Sequence, residues 1–158
     1  MVNNRIAVFP GSFDPITLGH VNLVERSLAL YDTVIIAIGK NAQKQNLFSL
    51  EQRMIWIAEI FSKYPQVEIA SYEGLTIDFC KSCNSKVLLR GLRSSGDFEY
   101  EKNIALINRT LVPEIETVFM LSIPEFAHIS STIVRELVRY KGNIENMVPA
   151  CVIRDMQK

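Results

Sequence analysis

Apolar and polar positions follow two alternating patterns along this chain. Short runs rich in β-branched residues fit buried strands, and between them apolar residues recur at the three- and four-residue spacing of helices. The predicted strands are Arg5–Phe9, Thr33–Gly39, Val67–Ser71, Lys86–Arg90 and Thr117–Leu121. The predicted helices lie around Val21 to Leu28, around Met54 to Phe61, and over Thr76–Cys83, Asp97–Thr110 and Ser131–Tyr140.

This alternation predicts an α/β fold. A strand, a helix and a further strand at this spacing form right-handed βαβ units, which build a parallel sheet with helices on both faces. The segment Ser49-Leu50-Glu51-Gln52 has the pattern of a capping box and marks the start of one helix. We therefore expect one Rossmann-like domain over residues 1–158, with a five-stranded parallel sheet.

Composition and charge narrow the function. The chain has 158 residues, of which 48% are hydrophobic, and its 17 basic side chains balance 17 acidic ones. Because the charges balance, the protein has no overall positive electrostatic field that would attract nucleic acid or anionic lipid. A polyanionic ligand would have to be held by a local cluster of basic residues. No apolar run is long enough for a membrane span or a signal core. The expectation is a cytoplasmic enzyme with neither a nucleic-acid nor a membrane partner.

The three cysteines, Cys80, Cys83 and Cys151, argue against a disulfide framework because their number is odd and no secretory signal precedes them. Cys80 and Cys83 match the spacing of redox and zinc pairs, but no second pair has metal-like spacing. Cys80 also falls on the apolar rhythm of a predicted helix. We expect a structural pair and no metal ligands in the protein.

The segment from Val8 to His20 carries the strongest chemical signal. It leads from a buried strand through a Pro/Gly turn into a helix. Thr17 stands three residues before His20, which is the spacing of an N-cap hydroxyl that accepts the third helical N–H. The imidazole then lies among unpaired backbone N–H groups at the positive end of the helix, a place that attracts phosphate.

Other polar side chains also follow predicted strands, at whose carboxyl ends parallel sheets bind ligands. Arg90 and Arg93 form a fork for phosphate oxygens, although a solvated basic loop is the alternative. Three hydroxyls in Ser130-Ser131-Thr132 exceed the needs of one N-cap and predict a second phosphate cradle, with capping alone as the alternative. Neither a P-loop nor a G-x-G-x-x-G motif is present, and Ser12 fits a phosphate-binding hydroxyl better than a nucleophile.

Taken together, these motifs resemble a known family. Thr17-x-Gly19-His20 is similar to the signature of the nucleotidyltransferase superfamily. With Arg90-Gly91-Leu92-Arg93, Asp97-Phe98-Glu99-Tyr100-Glu101, Asn108-Arg109 and Ile129–Thr132, the chain resembles the bacterial phosphopantetheine adenylyltransferases over essentially its whole length. The resemblance implies transfer of an adenylyl group from ATP to 4′-phosphopantetheine with Mg²⁺, giving dephospho-coenzyme A and pyrophosphate, by a homohexamer.

The resemblance also implies a role for each matching residue. His20 would stabilise the pentacovalent transition state, and Lys44 and Arg93 would share in catalysis. The acceptor would be bound by Ser12, Lys44, Thr76, Arg90 and Asn108. ATP would be bound by Ser12, Phe13, His20, Gly91, Leu92, Arg93, Glu101, Phe126, Ala127, His128, Ile129, Ser130, Ser131 and Thr132. Ser12 stands where the family frequently has threonine, and Phe126-Ala127-His128 departs from its aromatic segment.

Two other functions share part of this pattern. Another small nucleotidyltransferase, such as a nicotinate-mononucleotide adenylyltransferase or a cytidylyltransferase, would carry His20 but not the two elements Arg90–Arg93 and Asp97–Glu101. A nucleotide-binding module without catalysis is the other alternative. For transfer to a phosphate monoester, no general base is needed because the attacking oxygen is already ionised, so cations and helix N-termini suffice.

Overall fold

The fold is a five-stranded sheet in which every strand runs parallel to its neighbours. The structure, a computed structural model, describes residues 4–40 and 45–156. The strand order in the sheet is β3-β2-β1-β4-β5. The strands are β1 Ile6–Gly11, β2 Thr33–Gly39, β3 Val67–Tyr72, β4 Val87–Leu92 and β5 Glu116–Leu121.

Helices connect the strands and complete the chain after β5. They are α1 Leu18–Ser27, α2 Leu50–Ile60, α3 Thr76–Ser82, α4 Ser95–Leu111, α5 Ser131–Arg139 and α6 Ala150–Met156. The predicted α/β class, all five strands and all five predicted helices are confirmed, and their bounds shift by two residues or fewer where both ends were predicted. None of the helices in the described parts of the chain is long and apolar enough to cross a membrane.

The strand order reverses beside β1, and this reversal positions the functional site. β1 pairs with β2 on one side and with β4 on the other, so the chain leaves these strands in opposite directions. In an open parallel sheet, this reversal opens a crevice at the carboxyl ends of the strands. The turn that follows β1, Arg90 of β4 and Arg93 just after β4 therefore face one crevice.

The inner strands β1 and β2 are buried on both faces of the sheet, which explains why they are continuous apolar runs rather than alternating ones. On one face, Leu23, Trp56, Val134 and Val152 bring α1, α2, α5 and α6 into a single core. On the other face, a smaller cluster includes Ile77 and Cys80 of α3 together with residues that follow α4. This core fixes the strand ends from which the site is built.

Helix α6 has no counterpart in the sequence prediction. Its seven residues give too few apolar repeats to reveal it, and its place is set by contacts distant in sequence. Trp56 Nε1 of α2 donates to Asp155 Oδ2 at 3.0 Å, and Gln52 Nε2 donates to the same oxygen at 3.4 Å. Ser49 caps α2 as expected, accepting the Gln52 N–H at 3.1 Å, but the Gln52 side chain is used for Asp155 instead of returning to Ser49.

The cysteine pair has the surroundings of a structural pair. All three cysteines are free thiols. Cys80 is fully buried, and burial raises the pKa of its thiol to about 12. Cys83 lies at the C-cap of α3 and is half-buried. Since the thiolate is the reactive form, the structure gives Cys80 neither the exposure nor the ionisation that a redox site requires.

We predict that Cys80 resists an aromatic disulfide reagent in the folded protein, whereas Cys83 reacts at least tenfold faster. The two rates are measured at neutral pH, and peptide mapping of the Cys83→Ser variant separates labelling of Cys80 from labelling of Cys151. Unfolding in urea should make Cys80 fully reactive. Rapid labelling of Cys80 in the folded Cys83→Ser variant would contradict its burial and would reopen the redox interpretation.

Candidate active site

The turn between β1 and α1 forms the floor of the site. Phe13 has a φ of +45°, a left-handed conformation that is uncommon for a residue with a side chain. Its ring is buried and lies edge-on to Phe9 and His20, with centroid distances of 5.5 and 5.1 Å. Phe13 can therefore contact a ligand through its main chain, while its ring packs against the imidazole of His20.

Thr17 and His20 form a reciprocal capping box at the start of α1. The His20 N–H donates to Thr17 Oγ1 at 3.4 Å, and the Thr17 N–H donates to His20 Nδ1 at 3.0 Å. The predicted N-cap is confirmed. Because a backbone N–H can only donate, Nδ1 of His20 must accept, so the proton of the neutral ring is on Nε2. The ring is thus set to donate from Nε2 to a ligand.

The charge state of His20 follows from its surroundings. Burial, and after it the positive charges of Arg93 and Arg90, lower the pKa of the imidazole to about 4. Near neutral pH the ring is uncharged in the unliganded protein. It can supply a hydrogen bond to a phosphate oxygen without adding a third positive charge beside the two arginines.

The turn also provides main-chain donors. Within the described residues, the N–H groups of Ser12, Phe13 and Gly19 donate to no protein acceptor, whereas the Leu18 N–H is used by the Met147 carbonyl at 2.9 Å. Unpaired N–H groups at a left-handed turn and a helix N-terminus are typical of an anion-binding site. The expected cluster of free donors beside His20 is therefore present.

The two arginines of β4 and its following loop are each held by a carboxylate of α4. Arg90 donates from Nε and Nη2 to the two oxygens of Glu101, and from Nη1 to the Pro10 carbonyl at 2.9 Å. Arg93 donates from Nε and Nη2 to Asp97 at 2.9 and 3.1 Å. Asp97 and Glu101 stand four residues apart and therefore lie on one side of α4. Each of them can thus pair with one of the two arginines.

Two clefts meet at the Arg90–Glu101 pair. The larger, of about 840 Å³, extends toward the ends of β2 and β3, and the smaller, of about 360 Å³, extends over α1 and the start of α5. Both are lined by Pro10, Gly11, Arg90 and Glu101. Two ligands, one in each cleft, would thus meet over the β1 turn.

The clefts bring together most of the predicted site residues. In the larger cleft are Ser12, Thr76, Arg90, Glu101 and Asn108. In the smaller cleft are His20, Arg90, Gly91, Arg93, Glu101, Phe126, Ile129, Ser130, Ser131 and Thr132. The side chains of Phe13 and Leu92 lie in the core, and Ala127 and the exposed His128 are outside both linings. Lys44 lies outside the described residues.

The hydroxyls at the start of α5 are less free than the sequence suggests. Ser130 is the N-cap and accepts the Ile133 N–H at 3.2 Å. Ser131 Oγ donates to the Pro15 carbonyl at 2.8 Å, and Thr132 Oγ1 accepts from Arg135 Nη2 at 3.1 Å. The Ser131 hydroxyl is therefore not spare, because it ties α5 to the β1 turn.

Tyr72 is a cleft residue that the sequence analysis does not identify. Its hydroxyl lies 2.8 Å from Thr76 Oγ1, and its ring stacks on Phe79 with a centroid distance of 4.8 Å. It forms part of the wall of the larger cleft. A tyrosine at the end of a strand carries no signal that separates this place from an ordinary surface position.

Comparison with known proteins agrees with this geometry. A model of the cytidylyltransferase-like family matches residues 8–137. A phosphopantetheine adenylyltransferase of Flavobacterium psychrophilum is 51% identical over 148 residues, which are 94% of this chain and 97% of that protein. The proteins of the same name from Carboxydothermus hydrogenoformans and Clostridium perfringens are 47% and 44% identical, covering 94% and 98% of this chain and 91% and 94% of their own lengths.

The chain belongs to the phosphopantetheine adenylyltransferase family. The predicted resemblance is confirmed, and so is the prediction of a nucleotidyltransferase. Membership also favours this interpretation over the alternatives, since these relatives are named neither as nicotinate-mononucleotide adenylyltransferases nor as cytidylyltransferases or binding modules.

We predict that His20 titrates with a pKa near 4 in the unliganded protein and carries its neutral proton on Nε2. The pKa of His20 in the folded protein lies below the ordinary value of about 6.5. The neutral imidazole therefore contributes fully to the free energy of unfolding above pH 6.5, and this contribution is lost as the pH falls toward 4, because the unfolded chain then binds the proton more readily. Nitrogen-15 chemical shifts of the two ring nitrogens measure both properties. His128 serves as the exposed internal reference. A His20 pKa above 6, or a proton on Nδ1, would contradict this arrangement.

Proposed function

We propose that the chain transfers the adenylyl group of ATP to 4′-phosphopantetheine by direct attack of the acceptor phosphate, in the biosynthesis of coenzyme A. The observation that carries the proposal is the meeting of two clefts at Arg90 and Glu101, beside His20 and the free N–H groups of the β1 turn. A reaction between two phosphates needs one site for each substrate and a shared cluster of donors where they meet.

The larger cleft suits the acceptor. Arg90 stands where the two clefts join, and Thr76 and Asn108 lie farther along the larger one. A terminal phosphate at Arg90 would leave the remaining arm of phosphopantetheine beside these side chains and Tyr72. Arg90 uses three of its five N–H groups on Glu101 and Pro10, so two remain for phosphate oxygens. Lys44 is assigned to the same phosphate by resemblance.

The smaller cleft suits the nucleotide. His20, Arg93 and the N-terminus of α5 line this cleft. Gly91 also lines it and has no side chain, so a nucleotide can lie close to the backbone of β4. A Cβ at Gly91 would stand 2.4 Å from Leu23 Cδ1, so a side chain there would disturb the packing of α1 on β4. Phe126 and Ile129 contribute to the lining of this cleft.

The reaction is an in-line displacement at the α-phosphorus. An oxygen of the acceptor phosphate forms a bond to the α-phosphorus as the bond to the bridging oxygen of the β-phosphate breaks, and pyrophosphate leaves with that oxygen. The Nε2–H of His20 and the free N–H groups of Ser12 and Phe13 would stabilise the charge on the equatorial oxygens. The acceptor is already an anion, so no proton has to be removed from it.

Mg²⁺ is proposed to enter with the nucleotide. In the described residues, no group of three or more His, Cys, Asp or Glu side chains could form a metal cage, and Asp97 and Glu101 are engaged by arginines. This donor set fits a cation held by phosphate oxygens and water, a usual arrangement for Mg²⁺ with phosphates. When bound, the cation neutralises charge on the triphosphate.

Assembly of several copies is proposed from the surface of α4. This helix of 17 residues has no buried residue, yet several of its large apolar side chains are exposed. These are Phe98, Tyr100, Leu106, Ile107 and Leu111. Exposed apolar side chains in this number suit contact with further copies of the chain. The homohexamer that the family resemblance implies is the specific state we propose.

We predict that the protein releases pyrophosphate from ATP only when 4′-phosphopantetheine and Mg²⁺ are both present. Release is measured with a coupled pyrophosphate assay against phosphopantetheine, unphosphorylated pantetheine, nicotinate mononucleotide and no acceptor. Unphosphorylated pantetheine should not react, because it lacks both the nucleophile and the anchor for Arg90. Chelation of the metal with EDTA should stop the reaction, and added Mg²⁺ should restore it.

Two variants assign the clefts in the same assay. His20→Ala should lower kcat by about 10²-fold or more with little change in ATP affinity, as expected for an interaction made in the transition state. Arg90→Met should raise the KM for phosphopantetheine far more than the KM for ATP. Equal turnover of nicotinate mononucleotide, or a KM effect confined to ATP, would contradict the proposed function or the assignment of the clefts.

We predict that the molar mass measured by light scattering during size-exclusion chromatography is about six times the chain mass of 18.0 kDa. The Leu106→Glu and Ile107→Lys variants should each reduce this mass, because a charge on the α4 face opposes its burial. Leu30→Glu is the control, since Leu30 is also an exposed apolar residue but lies outside α4. A monomeric parent protein, or equal disruption by the control, would argue against α4 as the interface.

A further inference from the structure

Three carbonyl groups of the β1 turn accept hydrogen bonds from side chains in distant parts of the chain. Arg53 Nη1 of α2 donates to the Ser12 carbonyl at 2.6 Å, across 41 residues of sequence. Arg135 Nη1 of α5 donates to the Asp14 carbonyl at 2.8 Å, and Ser131 Oγ donates to the Pro15 carbonyl at 2.8 Å. Loop carbonyls more often turn to water, so this arrangement constrains the turn strongly.

The bond from Arg53 has a consequence for the opposite side of the turn. In a trans peptide, the carbonyl and the following N–H point in opposite directions because both lie in one plane. The peptide between Ser12 and Phe13 is trans, since the one cis bond of the described chain is Asp14–Pro15. Holding the Ser12 carbonyl toward α2 therefore directs the Phe13 N–H away from α2, and that N–H has no protein acceptor among the described residues.

The surroundings of Arg53 show that the guanidinium is fixed. Arg53 is 4% exposed, and its Nε donates to the Ser49 carbonyl at the start of α2 at 3.3 Å. The buried carboxylate of Asp14 lies in the same region and accepts the N–H groups of Leu47 and Phe48 at 2.8 and 2.9 Å. A buried cation is costly unless it is paired and hydrogen-bonded, and an apolar side chain would fill this space at lower cost.

We propose that Arg53 is a positioning residue for adenylyl transfer, which aims the Phe13 N–H at the reacting phosphate by holding the Ser12 carbonyl. This inference rests on the proposed function. Arg53 is absent from the linings of both clefts that are assigned to the substrates. Its effect reaches the reaction through one peptide plane, so it should alter the rate of the chemical step more than the binding of either substrate.

The first test compares two substitutions at Arg53. Arg53→Met keeps most of the length without a donor, and Arg53→Lys keeps the charge with a single donating group. Arg53→Met should lower kcat at least tenfold while the KM values for ATP and phosphopantetheine change less than threefold. Arg53→Lys should recover part of the rate. If Arg53→Met fails to fold by circular dichroism, Arg53→Lys carries the test, and a kcat within twofold of the parent then overturns the proposal.

The second test is chemical rescue. Arg53 also lines a third cleft, of about 540 Å³, beside Phe48 and Ser49, which gives a small cation access to the place of its side chain. In Arg53→Ala, guanidinium at a non-denaturing concentration should raise kcat, and sodium at the same ionic strength should not. Arg154→Ala is the matched control, because Arg154 pairs with Glu59 of the same helix α2 but is exposed and contacts no residue of the turn. Guanidinium should leave its kcat unchanged.

The outcomes separate this inference from the proposed function. If the parent protein does not transfer the adenylyl group at all, the proposed function fails. If the parent is active and folded Arg53 variants keep their kcat, Arg53 has a purely structural role and the inference fails. A loss of rate that follows only the fraction of unfolded protein, with no rescue by guanidinium, also overturns it.

Discussion

The concentration of positive charge at one edge of the sheet is the constraint on which the rest of the site depends. Two phosphate-bearing substrates can approach each other only if cations are held close by, yet cations that are close together repel and lose hydration. The chain meets this constraint by pairing. Arg90 has Glu101, Arg93 has Asp97, and Arg135 and Arg53 flank the buried Asp14. The carboxylates of Glu101 and Asp97 each fix one guanidinium by hydrogen bonds and leave some of its N–H groups free.

The same constraint explains the state of His20. Burial disfavours a charged imidazole, and Arg93 and Arg90 would add repulsion, so the pKa of His20 is lowered. The capping box with Thr17 then decides which nitrogen keeps the proton. The imidazole therefore serves as an oriented donor whose direction is set by the backbone at the start of α1. A bound triphosphate would favour the charged ring more, because an opposite charge raises the pKa of histidine.

The fold could be predicted from sequence because its signals are local. The strand Thr33–Gly39 is an uninterrupted apolar run and has the bounds expected from it, and Thr17 caps α1 at the spacing that the sequence shows. The motif residues of the site could also be found, since they follow strands that end at one edge. What could not be predicted depends on partners far apart in the chain. Three such contacts produce no periodic pattern in the sequence. They are the hydrogen bonds of Arg53 to the Ser12 carbonyl, of Ser131 to the Pro15 carbonyl, and of Trp56 to Asp155 of α6.

Helix α4 connects the chemistry to the outer surface. One side of it presents Asp97 and Glu101 to the two arginines, while Leu106 and Ile107 are exposed farther along the helix. Because none of its residues is buried within the described chain, few apolar contacts of one copy hold α4 against the sheet. If further copies cover this helix as proposed, assembly also steadies the carboxylates that orient Arg90 and Arg93. Loss of the interface would then weaken acceptor binding without any change in a residue that touches a substrate, since the direction of both guanidiniums depends on where α4 lies.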